Sequence, residues 1–270
     1  MAKYKKKRAR QLQHDKFRDA TMGYVDRAAH GLEGKGRNIL YGIGALILVA
    51  LIAWGFVAWR GSRNDEARAA LGRAIKITDA PVVATPIPGS TEPSFRTEKE
   101  RAQKAVEEFQ KVAANYSGST AEYARYFAAT NELLLDRAKA IADLDALTKS
   151  GETDIATLSK FAIAQAKEAD AKYDEAAALY SELAKLNSTI ITPNTANLRL
   201  ALAYEKLGKK QEAADILFNL VESARKAKDK DGKPAPESAA VRQAADELEK
   251  LDPARFAQLT PPPLPSNFTM

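Results

Sequence analysis

No cysteine occurs in the 270 residues, so the chain holds no disulfide, no thiolate nucleophile, no iron–sulfur cluster and no cysteine zinc site. Histidine is nearly as scarce. His14 and His30 are the two, so residues 61 to 270 lack the commonest general base and metal ligand. The signatures of phosphate loops, zinc proteases, serine hydrolases and calcium loops are missing as well. Carboxylate pairs do occur, at Glu107/Glu108, Asp143/Asp145 and Asp174/Glu175, but they fall on polar faces of expected helices, where solvation explains them. The expectation is a protein that is no enzyme and uses no cofactor and no metal.

The formal charge of +6 is unevenly spread. Residues 1 to 60 hold 12 Lys+Arg against 4 Asp+Glu, and the remainder is close to neutral, with 29 against 31. A basic cluster such as "KYKKKRAR" neutralises phosphates of any origin, including those of RNA. Beside a membrane segment it sets topology and meets anionic lipid instead, and no nucleic-acid partner is expected.

That segment is "ILYGIGALILVALIAWGFVAW", residues 39–59, a run of 21 residues without a charge. At 1.5 Å per residue it extends about 31 Å as a helix, close to the hydrocarbon thickness of a bilayer. Trp54 and Trp59 near one end and Tyr41 near the other suit the interfacial aromatic belt. A core helix of a soluble protein would show a polar face. A cleaved signal would have a shorter apolar region and a small-residue cleavage site, which "FVAWRGSRN" does not offer. The run reads as a retained transmembrane helix. The basic arm before it, residues 1–38, is expected to stay in the cytoplasm by the positive-inside rule. Within the arm Phe17, Thr21, Tyr24, Val25, Ala28 and Leu32 share a helical face suited to the inner leaflet, ended by Gly31, Gly34 and Gly36.

Beyond the run the chain repeats itself. An alanine, a large apolar residue four later and another three beyond recur as Ala105/Phe109/Val112, Ala140/Leu144/Leu147, Ala176/Tyr180/Leu183 and Ala213/Leu217/Leu220. The alanines are 35, 36 and 37 residues apart. Each trio lies on one helical face, and a recurrence near 35 residues marks a stacked array of helical hairpins. A second alanine lies twelve residues before three of the trios, at Ala128, Ala164 and Ala201, which lets the two helices of a hairpin approach closely.

The remaining segments read as connectors. Residues 60–99 comprise an approach helix near 64–78 and a linker, "DAPVVATPIPGSTEPS", whose four prolines cannot continue a helix. The repeat domain is expected over 100–251. Thr192 and Pro193 start a helix, a capping helix covers 237–250, and Asp252 with Pro253 starts a last short turn. A Pro-rich tail, residues 252–270, ends in "TPPPLPSNFTM", expected as loose extended chain.

These residues resemble the tetratricopeptide repeat. In "LALAYEKLGKKQEAADILFNLVE", residues 200–222, Leu200, Ala201, Tyr204, Gly208, Ala213 and Leu217 stand at its signature positions. Residues 161–185 match at Ala164, Tyr173, Ala176 and Tyr180, while Leu135 and Ala171 replace the usual turn glycine. The fold class so implied is all-α: an N-terminal transmembrane helix followed by a tetratricopeptide-like helical-hairpin solenoid. Projecting the family's groove onto the chain places Glu122, Arg125, Ala129 and Glu132, then Phe161, Gln165 and Glu168, then Leu198, Leu202 and Glu205 on a partner-binding surface. The Lys/Asn set with which some relatives clamp chaperone C-termini is missing from it.

The whole arrangement is similar to the ancillary Sec-translocon subunit family of bacteria. That resemblance implies a single-pass inner-membrane protein with a periplasmic domain, whose partners are translocon subunits, chaperones or client peptides. An accessory scaffold of another bacterial membrane complex is the alternative reading.

Overall fold

The structure is a computed structural model that describes residues 63–84, 92–230 and 232–262. The basic arm, its amphipathic stretch and the apolar run 39–59 lie outside the described residues. Among the described residues no helix is long and apolar enough to cross a membrane. The described part of the unit Asp65–Met270 is helical throughout, with two isolated bridges in place of strands, and is consistent with a helical repeat solenoid.

The helices are α1 (63–78), α2 (Glu98–Asn115), α3 (Ser119–Glu132), α4 (Arg137–Leu147) and α5 (Thr153–Ala169). They continue with α6 (Tyr173–Ala184), α7 (Pro193–Lys206), α8 (Lys210–Lys226), α9 (Ala239–Leu251) and α10 (Pro253–Phe256). All four repeated trios point inward, one each on α2, α4, α6 and α8, and none of their residues is more than 7% exposed. Burying a large member of such a trio contributes about 1.5–3 kcal/mol. The preceding alanines, Ala128, Ala164 and Ala201, are buried opposite them on α3, α5 and α7. With only a methyl group at the contact, two helix axes can close to the short end of the usual 8–10 Å spacing.

Two expected boundaries move. The approach helix belongs to the repeats: Ala74 of α1 shares a core with Ala105, Phe109 and Val112 of α2 and Ala124 and Ala128 of α3. Sequence placed it outside because the long excursion after it hides the pairing. That excursion has a closed neck, where the Val83 N–H donates to the Phe95 carbonyl at 2.8 Å and the Phe95 N–H to the Pro81 carbonyl at 3.1 Å. The C-terminal tail likewise begins as folded structure. Asp252 caps α10 as expected, Leu259 is buried in the α7–α8–α9 core, and Arg255 pairs with Asp215 while lying over the Phe218 ring.

Thr260 closes this strap onto α8. Its N–H and hydroxyl both donate to the Glu222 carboxylate at 2.9 Å, and its carbonyl accepts from Arg225 Nη1 at 2.7 Å. Arg225 also pairs with Glu237 at 2.8 Å, with both side chains nearly buried. The Lys226 ammonium, then the Thr260 N–H and hydroxyl, hold the Glu222 carboxyl down at about 2.

Local capping explains the helix starts. Thr97, Asp136, Thr192, Ser238 and Asp252 each accept from the backbone N–H three residues on. The turns after α5 and α7 have one geometry. Lys172 N–H donates to the Lys167 carbonyl and Lys209 N–H to the Tyr204 carbonyl, both at 2.9 Å, across left-handed residues Ala171 (φ 57°) and Gly208 (φ 76°). The turn after α3 differs: Leu135 has no positive φ, and the Leu135 and Asp136 N–H groups both reach the Glu132 carbonyl at 2.9 Å.

Candidate functional site

The first helices of successive hairpins, α3, α5 and α7, meet along two seams. The repeat step of 36 residues sets equivalent positions side by side on α3 and α5: Tyr126 against Ala162, Thr130 against Ala166, Leu133 against Ala169. Large side chains stand on one helix and methyl groups on the other, so the seam does not fill. It leaves an open cavity of about 400 Å³ with Phe127 on its α3 side.

The polar groups of this cavity are few. Arg137, heading α4, pairs with Asp170 at 2.8 Å, and its Nη2 donates to the Ala166 carbonyl at 2.6 Å, capping the end of α5. Gln165 is exposed at the edge, and neither its carboxamide nor the Tyr126 hydroxyl has a hydrogen-bond partner among the described residues. Burial pushes the Tyr126 phenol up. Its ring packs on Phe127, which stacks in turn on Phe109 at 5.3 Å, so the aromatic wall is braced from behind by α2. Leu134 and Leu135 are exposed in the turn after α3.

The second seam, between α5 and α7, is bridged. Tyr180 of α6, fully buried, donates its hydroxyl to Glu168 at 2.7 Å, and Arg199 of α7 reaches the other Glu168 oxygen at 3.7 Å. Burial and then the bond to Glu168 raise the Tyr180 phenol far above its ordinary range.

The expected groove residues do not form one surface. Gln165 lies in the α3/α5 cavity. Arg125, Ala129 and Glu132 come together on another side, in a cleft of about 250 Å³ between α2 and α4, where Glu132 pairs with Lys139 at 3.2 Å and Arg125 with Glu122. Ala129 is buried against Leu144, Ala162 and Ile163. Phe161 lies against the Tyr180 ring, with centroids 5.8 Å apart, and Glu168 is held by Tyr180 and Arg199. Leu198 is a correction: it is 4% exposed, inside the core that α7 forms with α8 and α9, because the capping helix covers it. Leu202 packs against that core, and Glu205 stands half-exposed on α7.

Tyr126, Phe127, Thr130 and Leu133 are not among the residues that the sequence projects onto the groove. Tyr126, Thr130 and Leu133 each stand one position beyond Arg125, Ala129 and Glu132 of the expected groove, and one residue turns a helix face by about 100°. The signal that finds them is the 36-residue step itself, which pairs each with an alanine of α5. Among the described residues no group of acidic or histidine side chains is arranged to hold a metal. In comparisons with known proteins, no family, no curated protein and no solved structure matches the chain.

Proposed function

We propose that this chain is a membrane-anchored, tetratricopeptide-like protein-binding module that serves a Sec-type export channel in the bacterial inner membrane, with its solenoid on the periplasmic side. In this reading it performs no reaction. It presents a surface on which an emerging client or a folding factor is held near the channel.

The observation that carries the reading is the unfilled α3/α5 seam, where an apolar cavity opens next to hydrogen-bonding groups that have no partner among the described residues. Concave sites of this composition, mostly apolar with a few placed polar groups, are those that take ligands. The 21-residue apolar run and the basic arm support the anchoring, and the hairpin pattern supports the family resemblance.

The test is extraction of native membranes in a mild detergent, followed by size separation and mass spectrometry of what migrates with the chain. Near-stoichiometric translocon subunits or periplasmic folding factors are the expected result. Recovery of a different membrane complex would overturn the export assignment and make the chain an accessory scaffold of that complex.

A further inference from the structure

Resting on the reading of the chain as a protein-binding module, we propose that the α3/α5 cavity is a pocket for one large uncharged apolar side chain, preferentially aromatic, of an extended polypeptide segment. Charge decides the class of occupant. Arg137 is the one ionic group among the lining residues, and Asp170 and the Ala166 carbonyl already engage it. A charged side chain entering here would lose water and meet no free counter-charge.

The walls decide the size. Alanines at 162, 166 and 169 form one side and the Tyr126 and Phe127 rings line the other, and aromatic rings prefer offset or edge-on aromatic partners. At the rim, the Gln165 carboxamide can both donate to and accept from a peptide group, and the Tyr126 hydroxyl supplies a further bond. Such paired bonds fit extended backbone and carry no preference for the residues on either side. The site thus selects for one exposed apolar residue in an unfolded stretch, with little reading of its neighbours.

The experiment uses the full chain in detergent or lipid nanodiscs and dye-labelled Gly/Ser decapeptides that differ only at a central Phe, Leu, Asp or Lys, read by fluorescence anisotropy. Phe is expected to bind tightest and Leu next, with Asp and Lys at least tenfold weaker. Ala169 is exposed on the cavity wall, so Ala169→Phe fills the pocket without touching the core and should weaken the Phe peptide at least tenfold. Ala178→Phe on exposed α6 surface is the control of equal bulk and should change nothing. Gln165→Ala should cost three- to tenfold for all four peptides alike. Equal binding of the Phe and Asp peptides, or an Ala169→Phe protein that binds as before, overturns the pocket. If translocon subunits co-purify but the peptides show no selectivity, this inference falls and the export reading stands. If selectivity is found without those subunits, the pocket stands and the export reading falls.

Discussion

The two seams of the array end differently. Between α3 and α5, Ser119 donates to Glu152 at the N-terminal ends, but farther along Tyr126, Thr130 and Leu133 oppose alanines and a cavity remains. Between α5 and α7, Arg199 and Glu168 join across the surface while Tyr180 fills the space beneath and donates to the same carboxylate. A repeat array is stabilised mainly by contacts between neighbours. In one seam the polar groups at the surface engage each other, and in the other a cavity stays open beside a shared core of Ala129, Ala162 and Ile163.

The strongest way to break the contrast is to empty the closed seam. Tyr180→Ala removes a fully buried aromatic residue and is expected to cost about 3–5 kcal/mol. Tyr180→Phe keeps the packing, loses the bond to Glu168 and should cost about 1.5–3 kcal/mol. Thermal or denaturant unfolding measures both, and equal losses would show that the hydroxyl dominates and the packing does not.

The turns that flank this seam give a smaller effect with opposite signs. Gly208 has open space where a Cβ would stand, so Gly208→Ala should cost only the left-handed penalty of about 1 kcal/mol. Ala171 already bears that penalty, and Ala171→Gly should raise stability by about 0.5 kcal/mol once the added freedom of the unfolded chain is subtracted. A loss in both variants would mean that something other than backbone strain sets these turns.

Arg199→Ala should cost no more than about 0.5 kcal/mol, since the pair is long and partly exposed. The least effect on global unfolding is expected from pH, at the C-terminal strap. The Glu222 carboxyl titrates lower in the folded chain than its ordinary 4.5, so its contribution is complete above that value and is lost as pH falls towards about 2. Hydrogen exchange at residues 253–260 should speed up over that interval, and in Glu222→Gln it should already be fast at neutral pH.

Much of the fold was legible because its rule is written in alanines. A small residue followed by apolar residues four and seven positions on fits any amphipathic helix, but its recurrence every 35 to 37 residues points to stacked hairpins, and all four such trios are buried. The capping choices were legible for the same local reason: Thr192, Pro193, Asp252 and Pro253 act within their own helical turn. The candidate site was less so. Leu198 looks like a surface residue until α9 is laid over it, and nothing within α7 announces that cover. Arg125 and Glu132 were assigned from the average member of a family, whereas the open side of α3 depends on which residues α5 happens to present. The strap was also hidden, since Thr260 gains its partners from α8, 35 and 38 residues away in sequence.

The closed neck at Pro81–Val83 and Phe95 has a consequence for how this chain can change over evolution. A segment that leaves and re-enters a structure at one point adds no lever to the helices beside it. Its length is uncoupled from the spacing of α1 and α2, and each doubling should cost only about 0.6 kcal/mol. Insertions there are cheap where insertions in the four-residue turn after α3 are not. The same neck is therefore the natural place to graft an affinity handle or a fluorescent reporter onto the domain, because both ends of the graft are already held together.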